Sequence, residues 1–268
     1  MLFLSRKKYT AYNSFMEQTN FWEFQLTASI NKAKAIEYVK NKLKPLIKAQ
    51  KGVVTTIYSN KEIRLLIGVL EAQKVLIKQP LISAITEIIC TEYKCEYIKQ
   101  NLNFSITNDL LFKSFLKGLV CFDSDIEKQI VYSKLIEFDN IVLESFFDFR
   151  LKFLKEKWQD LILLANDNYL YLLSGGNFFE LMKFLLSNLD CKAEKIEVSF
   201  ENDSFKVLSN GKELQLPHQT SSSSQEDLVT FLVSLSPKNI TIYDGQFLSA
   251  EIKNFLCNLF ENRIQIVK

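Results

Sequence analysis

The single histidine of the chain, His218, lies beside the serine run Ser221, Ser222, Ser223 and Ser224. A serine becomes a nucleophile only when a base within hydrogen-bond reach takes its proton. The surrounding stretch, Pro217 to Gln225, is polar and reads as a loop, which offers such a pair no rigid support. The histidine is therefore read as an exposed loop residue. One histidine also excludes imidazole-based metal centres. The nearest of the five cysteines, Cys90 and Cys95, stand five apart on helix-like sequence and point to different sides. Asp148, Glu156 and Asp160 near Arg150 have the right types for acid–base work, but at helical spacing they read as solvated ion pairs. None of the seven glycines forms a phosphate loop or a dinucleotide fingerprint. The expectation is a protein that is not an enzyme and carries no cofactor or metal.

Charge suggests one surface. Residues 1–51 hold ten Lys/Arg against Glu17, Glu23 and Glu37, a balance of +7 that leaves −5 for the remainder. Within this part, Lys40, Lys44, Lys48 and Lys51 recur at i, i+4, i+8 and i+11 on one helix face, where they could neutralise phosphates or meet an acidic partner. The plainer reading is a solvated face. Nucleic-acid binding through this stripe would show as salt-dependent retention, although no helix-turn-helix, zinc-finger or aromatic RNA platform accompanies it.

Phe21 to Leu26 reads as a strand. A helix with Ile36, Val39, Leu43, Leu46 and Ile47 on one stripe follows, with Pro45 expected to kink or break it. Gly52 ends that helix, Val53 to Ser59 looks like a second strand, and Ile63 to Val69 is a third unless Leu65 to Leu76 is helical. From Leu76 to Leu189 the periodicity is helical, including Leu110 to Val120, Ile126 to Ser145 and a long stripe from Leu151 to Leu172 that stops at Gly175-Gly176. After Asp190 the period becomes two. Lys195 to Phe200, Phe205 to Leu208 and Leu214 to Leu216 form a meander turned by Asn202-Asp203 and Asn210-Gly211. Ser223 and Glu226 have capping-box spacing ahead of a helix that Pro237 stops. Ile240 to Tyr243, a helix through Ile252 to Leu259, and Ile264 to Val267 make a β-α-β crossover with parallel strands. The fold class is thus α+β (mixed): a small N-terminal β-α-β-β unit over 1–75, a helical segment over 76–190, and a C-terminal meander plus β-α-β unit over 191–268.

With 47% hydrophobic and 24% charged residues the chain can bury a sizeable core. No apolar run approaches the roughly 20 residues of a membrane span. Met1-Leu2-Phe3-Leu4 is too short for the apolar region of a signal peptide, and its basic residues follow it. Scattered, odd-numbered cysteines suit a reducing cytoplasm.

The segment Ser145-Phe146-Phe147-Asp148-Phe149-Arg150-Leu151-Lys152, opening a long amphipathic helix, resembles the YtxC-like family of sporulation proteins from endospore-forming bacteria. The likeness continues through a second helix at Phe178 to Leu189 and the hairpin Lys195 to Leu208. It also includes Glu226-Asp227-Leu228 through Leu235-Ser236-Pro237 into the following strand. It runs over Ser145 to Val267 and is architectural before that. Ser174-Gly175-Gly176-Asn177 departs from the charged connection expected there, and no cysteine-bearing tail like that of some relatives is present, so no metal or redox role is carried over. The family supplies no catalytic residues. The resemblance implies sporulation context and a cytoplasmic protein; together with the missing catalytic constellation it leads to the expectation of a protein that binds an unknown protein partner, with the basic helix Lys40 to Lys51 and Phe146 to Phe153 as candidate contacts, the second favoured as core. The alternatives are nucleic-acid binding and an enzyme with an inter-domain pocket. Oligomeric state is not set by the sequence.

Overall fold

Alternation decides the first element. In Phe21–Ser29 (β1), Trp22, Phe24, Leu26 and Ala28 are buried while Phe21 and Glu23 are exposed, the period of a sheet with one covered face. The computed structural model describes residues 20–104, 109–168, 176–214 and 225–267. Their contacts divide the chain into two units: one of Met1–Ile89 with Lys128–Lys152, the other of Cys90–Glu127 with Phe153–Lys268.

In the first unit, Ala33–Ala49 (α1) buries Ile36, Val39, Leu43 and Ile47 along one stripe. It runs on through Pro45, so the expected break does not occur. Buried side chains on both sides of the exposed proline hold the helix together against the lost hydrogen bond. Val53–Tyr58 (β2) and Glu62–Leu70 (β3) form a hairpin, and Ile63, Leu65, Ile67 and Val69 share the covered face with the inward residues of β1. The doubtful third strand is therefore a strand, and helix begins only at Lys74–Ile88 (α2). Asn140–Val142 (β4) lies parallel to β1, giving the order β2-β3-β1-β4. This strand corrects the expectation of helix through Ser145. Three residues are too few to display a two-residue period. What fixes them is tertiary: Gln25 donates its backbone N–H to the Asp139 carbonyl (3.0 Å), starting the parallel ladder.

In the second unit the helices are Lys94–Asn101 (α3), Asp109–Cys121 (α4), the start of Ser124–Leu135 (α5, which belongs to the first unit from Lys128 on), Lys152–Asp167 (α6) and Gly176–Asn188 (α7). The sheet combines Lys195–Glu201 (β5), Ser204–Ser209 (β6) and Lys212–Leu214 (β7) in antiparallel succession. Beside β5, and parallel to it, runs Asn239–Tyr243 (β8), with Ile264–Val267 (β9) parallel to β8. Gln225–Leu235 (α8) and Ala250–Phe260 (α9) connect them. The turn at Asn202-Asp203 has both residues at positive φ (51° and 60°), and Asn210-Gly211 does likewise (50° and 78°), as tight hairpin turns require. One apolar core, including Phe115, Ile162, Phe178, Met182, Leu232 and Leu256, joins sheet and helices.

The segments drawn at 75/76 and 190/191 are not the units these contacts define. The helical middle is shared out, with α2 in the first unit and α3, α4, α6 and α7 in the second, because each sheet needs helices to cover one face.

Candidate functional site

The most enclosed polar cluster was not foreseen from sequence. Lys94, at the start of α3, is 0% exposed; its ammonium donates to both Glu127 oxygens (2.9 and 2.8 Å) and to the Phe122 carbonyl (2.8 Å). The indole N–H of Trp158 donates to the same carboxylate (2.7 Å), and Lys94 sits 5.7 Å from the Trp158 ring centroid. All three ammonium protons are used. A lysine with a full set of partners and no access to solvent has nothing left for chemistry, so the cluster reads as a clamp joining α3, α5 and α6. Its sequence signal was faint, because Lys94, Glu127 and Trp158 are brought together only by tertiary folding. A π-helical turn, Ile89–Tyr93, immediately precedes it.

The lysine stripe is divided by the fold. Lys40 is engaged, donating to Glu37 (3.3 Å) and to the Thr56 hydroxyl (2.9 Å). Lys44, Lys48 and Lys51 are exposed and make no ion pair among the described residues. Lys48 lies in the last turn of α1 and Lys51 just past it, in the left-handed region at φ 57°. Cations there complement the negative end of the helix dipole, which accounts for these lysines without a ligand.

The Phe146–Phe153 segment is part core and part surface. Phe146, Phe147 and Leu151 are buried, whereas Phe149 (70% exposed) and Phe153 face outward. Phe146–Arg150 is a π-helical turn; Arg150 stacks 5.6 Å from the Phe138 ring centroid, and Lys152 is exposed. In the later motif, Leu228 is fully buried, Glu226 pairs with Lys113 (2.9 Å), and exposed Asp227 follows in the first turn of α8. Pro237 is buried after Ser236, which has positive φ (41°) and donates its hydroxyl to the Leu186 carbonyl (2.9 Å). These residues shape helix ends and core. His218 and the serines 221–224, including the capping-box Ser223, lie outside the described residues. Asp148, Glu156 and Asp160 are exposed, and no group of three or more potential metal ligands occurs among the described residues.

An open face is the first unit's most distinctive surface. Opposite the covered side of its sheet, Phe21 pairs with Leu70, Gly68 lies between Glu23 and Val53, and Arg64 lies between Thr27 and Ile57. Phe21 (64%), Val53 (67%), Ile57, Leu70 and Val142 are exposed apolar residues on this side. A methyl group added at Gly68 would meet nothing within 4 Å. Among the described residues nothing covers the face at Gly68.

Three carboxylates on this unit are held charged: Glu87, Asp139 and Glu37, in the last of which burial is outweighed by hydrogen bonds from Tyr58, Thr56 and Lys40. Burial works to raise the Glu87 pKa, but hydrogen bonds from Lys42 (2.7 Å) and Tyr38 (2.8 Å) and the lysine charge outweigh it and lower it. Burial likewise opposes Asp139, and Lys78 (2.6 Å) with Lys74 (3.3 Å) brings it below its ordinary value. A depressed pKa contributes stability that is complete above the unfolded value of about 4 and fades as pH falls through the folded value. Asp139→Asn is therefore expected to be mildly destabilised at pH 7 and to converge with the parent in acid-unfolding curves once the pH is low enough to protonate the folded carboxyl. Curves separated by the same gap at neutral and at that low pH would contradict this assignment.

An α+β protein with a closed ionic clamp and an open sheet face is the class these features define, and among the described residues no helix is long and apolar enough to cross a membrane. The chain belongs to the YtxC-like family, which matches residues 74–265. The match begins at the start of α2, so it takes in the helices before Ser145 as well as the motifs after it. No curated protein and no solved structure matches the chain.

Proposed function

We propose that this is a sporulation-associated cytoplasmic protein that acts by binding a protein partner and not by transforming a small molecule. Family membership supports the sporulation context. The observation that carries the binding reading is the open sheet face: exposed Phe21, Val53, Ile57, Leu70 and Val142, with Glu23 and the Glu62–Arg64 ion pair as its charges. Surfaces of this composition, rimmed by polar residues, mark sites of protein association. The face precedes the family-matched stretch except for β4.

Affinity purification from sporulating cells tests this reading with Gly68→Lys. The substitution places a charge on the face between Glu23 and Val53, where the described residues leave space free, so the fold is kept. A partner captured by the parent is expected to be absent with this variant and retained with Phe149→Ser. Loss with Phe149→Ser alone would move the contact to the motif segment and overturn the assignment to the sheet.

A further inference from the structure

We propose that the protein forms a two-fold dimer by antiparallel pairing of β2 with β2 of a second copy. The inference rests on the edge of the first unit's sheet and stands apart from partner binding through its face.

β2 is an edge strand of six residues with no charge and no proline. Edges that end sheets safely are short, charged or bulged. The other three edges here follow that rule: β4 and β7 have three residues each, β7 carries Lys212 and Glu213, and β9 has four. β2 is the exception, paired without interruption to β3 along its whole length.

The hydrogen-bonding groups of β2 that no described residue takes up can be placed. Ser59 donates its N–H to the Glu62 carbonyl (2.9 Å) at the closed end of the hairpin. Backbone groups in an antiparallel strand alternate in direction, so Val53, Thr55 and Ile57 face β3, while Val54, Thr56 and Tyr58 turn theirs to the open side. A two-fold axis through Thr56 makes each of these three residues a bonded pair: Thr56 with Thr56 of the second copy, and Val54 with Tyr58 twice. That yields about six backbone hydrogen bonds.

Side chains agree with this register. On the open face Thr55 meets Ile57 of the other copy, and on the covered side Val54 meets Tyr58, apolar and β-branched pairings that favour a sheet. Beside the strand, Glu37 and Lys40 of α1 are bonded to Thr56 and Tyr58. The axis brings two such opposite-charge pairs together. A second copy is thus the partner that this edge complements. An interface built on one strand and its flanking helix falls near or below about 1,200 Å², which implies a weak dimer.

Light scattering over roughly 1 to 200 μM should show the parent passing from monomer to dimer. Thr56→Pro removes an N–H that faces away from β3, leaving that ladder whole, and is expected to remain monomeric with parental circular dichroism. Thr56→Cys supplies a positive readout that does not depend on a disrupted variant. The bonded pair places the two Cα atoms about 5.5 Å apart, within disulfide range, so in a Cys191→Ser, Cys257→Ser background, which removes the exposed thiols, mild oxidation should give a reducible covalent dimer that the same background without Thr56→Cys does not form. Gly68→Lys should dimerise normally, which separates this inference from the binding face. A parent that stays monomeric throughout, a dimer undiminished by Thr56→Pro, or no covalent dimer from Thr56→Cys would each overturn the proposal.

Discussion

Replacing Glu127 with Leu is expected to destabilise the second unit by about 3–5 kcal/mol, the cost of leaving a buried charge without its counter-ion. Lys94 is fully enclosed and directs two of its three hydrogen bonds at this carboxylate, so no water replaces the lost partner. Lys94→Met is expected to be similarly costly, stranding the Glu127 charge. The informative protein is the double variant. With both charges removed, a packed Met–Leu pair needs no counter-ion, and the double variant should lose clearly less than the sum of the two single losses. What remains is the Trp158 N–H and the Phe122 carbonyl left without partners, at about 1–3 kcal/mol each if water stays excluded. Trp158 belongs to the second unit and Trp22 to the first. Urea denaturation followed by fluorescence in a Trp22→Phe background therefore reports on the clamp. Single-variant losses that simply add in the double variant would show that Lys94 and Glu127 are not coupled.

Gly52→Ala and Gly68→Ala should differ in sign although Gly52 immediately precedes β2 and Gly68 lies on the neighbouring β3. A methyl group at Gly52 would stand 2.4 Å from Val69 Cγ1 and 2.8 Å from the Gly68 carbonyl oxygen. The oxygen belongs to the backbone of β3 and cannot turn aside, so α1 and the hairpin must separate. Overpacking of this kind costs about 1–3 kcal/mol. At Gly68 the added methyl meets only open space, and reduced freedom of the unfolded chain is expected to stabilise the protein by about 0.5–1 kcal/mol. Thermal melts of the two variants check the pair. A destabilised Gly68→Ala would mean that the face is covered.

The sequence displayed best whatever has a local period. The β1 and β5 alternations, the buried stripe of α1 and the hairpin turns at Asn202-Asp203 and Asn210-Gly211 all follow from nearest-neighbour sterics and one-sided burial. β4 escaped because three residues carry no period and its register comes from Gln25 and Asp139, far apart in sequence. The division into units escaped for a related reason: α2 and α3 form part of one helical run, yet their apolar stripes serve different sheets. The lysine stripe was visible as a spacing, but only the fold shows Lys40 tied to Glu37 and Thr56. The Lys94–Glu127–Trp158 clamp could not be read at all, since charged residues on helical sequence are ordinarily solvated. The family motifs were legible as a family signature, and in space they are helix ends, core and two outward-facing phenylalanines.

Counting heat-resistant spores from a strain lacking the gene, complemented with the parent or with Gly68→Lys, tests the central claim most directly. Deletion should reduce the count, the parent gene should restore it, and Gly68→Lys should fail to restore it while accumulating as a folded protein. Unimpaired spore formation in the deletion strain, or full restoration by Gly68→Lys, would contradict a sporulation role exercised through the open sheet face.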